Sequence, residues 1–142
     1  MTPRRWPLAI GILPLSLTLA LAACGQEEAE AVADPPAVVE EVTGSELNRI
    51  TLTARAVERL GIETAVVQDL SVPYSAVFYT SDGATWAYVS PEEFVFVRER
   101  IVVDRIHGDV AVLTDGPRPG TTVVAIGAAE LYGAETGVGG GH

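Results

Sequence analysis

The chain has 142 residues, enough for one small folded domain with a single core and too few for two. Its 19 acidic residues outweigh nine basic ones, all of them Arg, which excludes the basic face that nucleic acid requires. One cysteine, Cys24, excludes an intrachain disulfide and a cluster of thiolate metal ligands.

Arg4 and Arg5 form a short basic start, and Trp6 to Ala23 is then an uncharged run of 18 residues. A basic flank, an apolar run and small residues make the pattern of a secretory signal. The run falls short of the ~20 residues that span a bilayer, and Pro7 and Pro14 interrupt it, which disfavours an uncleaved anchor. Leu21-Ala22-Ala23-Cys24 resembles the lipobox of bacterial lipoproteins. That resemblance implies a signal peptide over 1–23, cleavage before Cys24 and a diacylglycerol on its thiol. The chain would then be lipid-anchored to a membrane on the extracytoplasmic side of the cell envelope. Gly25 leaves the choice between inner and outer membrane open. The mature chain would have 119 residues, with 19 acidic against seven basic and a net charge of −12. Such a charge also opposes adsorption to anionic headgroups.

Residues 24–46 are acidic and rich in Ala and Pro, and bury too little apolar surface to repay ordering. They are expected to form a flexible linker; a short helix over 27–33, ended by Pro35-Pro36, is the other reading.

The folded part is expected over 47–136. Asn48 to Thr53 alternates, with Ile50 and Leu52 on one face of a strand. Thr53 is placed to cap a helix over Ala54 to Leu60, with Val57 and Leu60 inward and Gly61 as its stop. Strands are expected over Ile62 to Leu70 and Val72 to Tyr79. Thr80-Ser81-Asp82-Gly83 is a hairpin turn leading into Thr85 to Val89, where Trp86 and Tyr88 share a face. Ser90 to Glu93 reads as a turn. Phe94 to Ile106 reads as one long strand with a bulge or an exposed centre at Arg98-Glu99-Arg100. After the turn His107-Gly108-Asp109, Val110 to Thr114 pairs back. A stiff turn over 115–120 precedes a last strand, Thr121 to Ile126. A short helical turn over 127–133 and a disordered tail over 137–142 complete the chain. The fold class is mainly β: a small antiparallel β-barrel or sandwich of six to seven strands with one short helix.

No catalytic constellation emerges, and neither an enzyme activity nor a cofactor is expected. Glu92 and Glu93 are neighbours that point apart in an extended chain. His107 and Asp109, with Asp104 nearby, are the only candidate metal ligands, weighed against a plain surface hairpin tip. Two histidines leave little room for a Ser–His–acid triad. Gly137 and Gly139 to Gly141 lack the strand–turn–helix setting of a phosphate loop.

Two stretches resemble one family. Residues 50–67, I-T-L-T-A-R-A-V-E-R-L-G-I-E-T-A-V-V, resemble the opening of periplasmic adaptor (membrane fusion) subunits of resistance-nodulation-division efflux pumps. Residues 72–135 resemble their closing segment, through V-P-Y-S-A-V at 72–77, D-G-A-T-W-A-Y-V at 82–89, V-F-V-R at 95–98 and the run from His107 to Leu131. Full adaptors carry an α-helical hairpin, a lipoyl-like domain and a β-barrel domain between these stretches. Here Val67 and Val72 are five positions apart. The resemblance implies a membrane-proximal-like domain that docks on an efflux transporter or a full-length adaptor without bridging two membranes. The methionine Cu(I) or Ag(I) site of some adaptors is not implied, because Met1 is the only methionine. The expected function is a non-catalytic interaction module of the envelope; the alternative is a ligand- or metal-binding lipoprotein on the same small β scaffold.

Overall fold

The computed structural model describes residues 35–137. Strands dominate, and every strand pairing is antiparallel.

The first strand, β1 (Ala37–Glu41), lies inside the segment expected to be a flexible linker and corrects that expectation for these five residues; 24–34 lie outside the described residues. It pairs with β2 (Asn48–Leu52), placing Val39 opposite Ile50 and Ala37 opposite Leu52. Only one edge of β1 is paired, so Glu40 and Glu41 keep their charges in water while the backbone joins the ladder.

Helix α1 (Ala54–Leu60) follows its local signals. Thr53 Oγ1 accepts from the Ala56 amide at 3.2 Å, and Gly61 ends the helix at φ 64°, where a residue without Cβ is favoured. Val57 and Leu60 pack on the core, and Ala56 is the most buried residue of the helix.

The expected strand from Ile62 to Leu70 is shorter, β3 (Glu63–Val66). The expected strand Val72 to Tyr79 divides into β4 (Ser71–Pro73), a single 3₁₀ turn over Tyr74–Ala76 and β5 (Phe78–Tyr79). The Thr80–Gly83 turn forms as read, with Gly83 at φ 80° and the Thr80 amide donating to Ala84 O at 3.0 Å. Beyond it, β6 (Thr85–Glu92) absorbs most of the segment read as a turn over Ser90 to Glu93.

The expected long strand from Phe94 to Ile106 is two strands, β7 (Val95–Arg100) and β8 (Val102–His107), and they belong to different sheets. The break is at Ile101, not at Arg98–Arg100. Ile101 is buried, and its amide donates to Thr85 O at 3.0 Å, so the chain turns a corner around a core residue. The remaining strands are β9 (Val110–Asp115) and β10 (Thr122–Ile126). The helical turn expected over 127–133 is a full helix, α2 (Ala128–Thr136), so the described residues hold two α-helices, not one. Gly137 caps α2 at φ 73°; the rest of the expected tail, 138–142, and the signal peptide lie outside the described residues.

The strands form an open sandwich and not a closed barrel. The larger sheet runs β1-β2-β7-β6-β10-β3, with β5 also on β6; the smaller runs β4-β9-β8. Ten strands replace the expected six to seven, because β1 is added and two long segments divide.

The larger sheet is covered on both faces. Ile50, Leu52, Tyr88, Phe96 and Val124 meet Ala56 of α1 and Ala128 and Leu131 of α2 on one side. Ala87, Val123 and Ile101 meet Val72, Ala111 and Leu113 of the smaller sheet on the other. The central strands therefore bury consecutive residues, Ala87 with Tyr88 and Val123 with Val124, and read as continuous apolar runs instead of alternating ones.

Two edges close the description. Residue Asp104 is squeezed out of register between Val103↔Leu113 and Arg105↔Val112, a bulge in the edge strand β8. At the opposite end, β2 pairs with β7 and β3 pairs with β10, so the residues before Gln68 complete a sheet made by those after Ser71.

Candidate interaction surface

The join between β3 and β4 is a two-residue turn. The Ser71 amide and hydroxyl both donate to Gln68 O, at 2.8 and 2.5 Å. Asp69 (φ 47°) and Leu70 (φ 52°) are both left-handed, as in a type I′ hairpin. Leu is a poor residue for that conformation, and the turn holds because its flanks are fixed: Leu70 O accepts from the Leu113 amide at 2.8 Å, and Val67 N–H donates to Thr121 O at 2.9 Å.

Around this join the surface is apolar. Val66, Pro73 and Val110, with Gln68, Ser71 and Asp109, line a shallow groove of about 200 Å³. Val66 is 55% exposed although it sits in a strand, because β3 has no partner beyond it in the larger sheet. Tyr74 follows Pro73 and is exposed, and its amide donates to Asp109 O at 2.8 Å, which ties the 3₁₀ turn to the β8–β9 hairpin tip. Tyr79 lies against Tyr74; desolvation first, and the neighbouring phenol second, hold its hydroxyl above the usual tyrosine range. Aromatic side chains with a polar tip, left exposed beside aliphatic ones, are the composition of a protein–protein contact.

A second cluster is buried and serves to hold the fold. The Glu135 side chain on α2 is 1% exposed. Its Oε2 accepts from the Tyr88 hydroxyl at 2.5 Å and its Oε1 from Asn48 Nδ2 at 3.3 Å. Arg98 Nε stands 3.2 Å from Oε1 as an ion pair, with its N–H off the line of a hydrogen bond. The guanidinium also lies 4.9 Å over the Trp86 ring, and Trp86 Nε1 donates to Thr80 Oγ1 at 3.0 Å. Tyr88 stacks on Phe78 at 5.0 Å. Burial first, and the Glu135 carboxylate second, push the Tyr88 hydroxyl far above its ordinary value. Through Glu135 these contacts seat α2 on the larger sheet.

The residues singled out from sequence are scattered. Cys24 lies outside the described residues. His107 and Asp109 are exposed on either side of Gly108 at the β8–β9 hairpin tip. The Asp104 carboxylate is taken by Arg105 at 2.5 Å, and among the described residues no three His, Cys, Asp or Glu side chains gather into a metal site. Glu92 and Glu93 are exposed, and Glu92 pairs with Arg49 at 3.4 Å. Val66 and Val110 of the groove escaped the sequence reading, because only the β3–β4 turn and the β4–β9 pairing bring them together.

No family model, curated protein or solved structure matches this chain.

Proposed function

We propose that this chain is a non-catalytic, lipid-anchored module of the bacterial envelope that docks on an efflux transporter or on a full-length adaptor subunit. The observation that carries this reading is the join at Gln68–Ser71. The stretch that resembles an adaptor opening and the stretch that resembles its closing segment follow one another across a two-residue turn, and β2 with β7 and β3 with β10 make them one sheet with both faces covered. The core is complete with nothing more than four residues between Val67 and Val72. The exposed strip of Val66, Tyr74, Tyr79 and Val110 beside the join supplies a contact face. The lipobox-like run ending at Cys24 supports the envelope location and the lipid anchor.

Photo-crosslinking in cells tests the reading. A photoreactive residue at Val66, Tyr79 or Val110 is expected to capture a transporter or adaptor subunit, and one at Glu40, on the far edge strand, is not. Capture of neither from any of the three positions overturns the docking. Mass spectrometry of the membrane-extracted chain is expected to find a diacylglyceryl Cys24 at the N-terminus; an unmodified thiol overturns the anchor.

A further inference from the structure

A cleft on another part of the molecule is unaccounted for by docking at the β3–β4 join. It has a volume of about 490 Å³ and opens between α1, the start of β3 and the β6–β7 hairpin. Val57, Ile62, Phe94 and Phe96 line it together with the hydroxyl side chains of Thr64, Ser90 and Thr122 and the carboxylates of Glu92 and Glu93. Clefts that hold small organic ligands have this size, with apolar walls and a few charged or polar groups at fixed places.

Two features separate it from an ordinary surface crease. Phe94 stands at the tip of the two-residue hairpin loop between Glu92 and Val95 with φ 61°, a conformation that favours Gly or Asn. Its ring belongs to neither buried core, so no interior packing offsets the strain; the Phe94 carbonyl, accepting from the Leu52 amide at 2.9 Å, holds the tip in place. Strain kept at a side chain that lines a cleft points to a use for that side chain. The second feature is charge. Glu92 is partly offset by Arg49, whereas Glu93 makes no salt bridge among the described residues. One carboxylate without an ion-pair partner among the described residues therefore stands on a cleft lined by the half-buried Phe94, and an aromatic ring there also favours a cation, while Phe96 lies beneath it in the core.

We propose that this cleft is a binding site for a small organic cation, a protonated amine carried on an apolar body of aryl size, with the body against Val57, Ile62, Phe94 and Phe96 and the ammonium at Glu93. The site shares no residue with the Val66–Val110 strip and is independent of docking there.

Three probes of one shape test it: 3-phenylpropylammonium, 3-phenylpropan-1-ol and 3-phenylpropionate, titrated into the full-length chain at low salt and followed by amide NMR. The ammonium is expected to give saturable shifts centred on Ser90–Val95 and Ile62–Thr64. The alcohol is expected to bind roughly two- to fivefold more weakly, as one exposed charge allows, and the carboxylate more weakly still. Glu93→Gln, at an exposed position that leaves folding intact, is expected to bring the ammonium down to the alcohol. Phe94→Gly is expected to weaken all three probes while the melting temperature holds or rises. Equal affinity for the three probes, shifts scattered away from the cleft, or no saturable shift overturns the proposal.

Discussion

The hydroxyl of Tyr88, on the central strand β6, donates to Glu135 on the last turn of α2 across 2.5 Å. This bond, with Asn48 and Arg98 on the same carboxylate, fastens the C-terminal helix to three strands at once. Glu135→Ala would leave Arg98 beside the core without its counter-charge and the Tyr88 hydroxyl buried without an acceptor. A loss of about 2–3 kcal/mol is expected in urea unfolding, with amide exchange accelerated first in α2.

The same pair sets an alkaline limit. The Tyr88 hydroxyl is held above its ordinary value in the folded chain, by burial first and then by Glu135, so the native state keeps a proton that the unfolded chain releases near pH ~10. The stabilisation is full below that pH and is lost as pH climbs from there toward the folded-state value. Titration by phenolate absorbance is expected to show one of the four tyrosines, Tyr88, ionising only together with unfolding. Tyr88→Phe is expected to remove that coupled step.

Gly127 joins β10 to α2 at φ 96°, and a Cβ there would stand 2.4 Å from Ile62 Cδ1. Gly127→Ala therefore combines backbone strain with overpacking against a side chain that can only partly yield. A destabilisation of roughly 2–3 kcal/mol is expected, measured as a lowered urea midpoint at unchanged m.

The turn at Asp69-Leu70 offers the opposite change. Both residues are left-handed, and Asn-Gly is the pair such a turn favours. Asp69→Asn with Leu70→Gly is expected to raise stability by about 1 kcal/mol, since Leu70 is partly exposed and outside both cores. A lower thermal midpoint would show that Leu70 contributes more by packing than it costs in backbone strain.

Much of the fold was legible wherever the signal is local. Thr53 and Gly61 bracket α1 in both readings, and Ile50 with Leu52 marks the inner face of β2. Asp82-Gly83 and His107-Gly108-Asp109 turn the chain as read. The misses share a different cause. Glu40 and Glu41 made β1 look like linker, yet an edge strand tolerates charge on its open side. Ile101 carries no Gly or Pro to announce the corner between sheets; what turns the chain is burial from both sides. Arg98 did interrupt the apolar pattern, but its partner Glu135 lies 37 positions later, beyond the reach of periodicity. The contact strip and the cleft are products of that same long-range assembly. The left-handed backbone of Phe94 had no sequence mark, because a left-handed aromatic looks like any other aromatic in a string of letters.

The displaced Asp104 has a consequence for behaviour at high concentration. A smooth outer strand offers an evenly spaced row of amides and carbonyls that a neighbouring molecule can extend into a fibre. In β8 that row is broken at its centre, with an Asp and an Arg flanking the break. Molecules crowded against this margin therefore meet a jagged, charged edge that is a poor template for end-to-end growth.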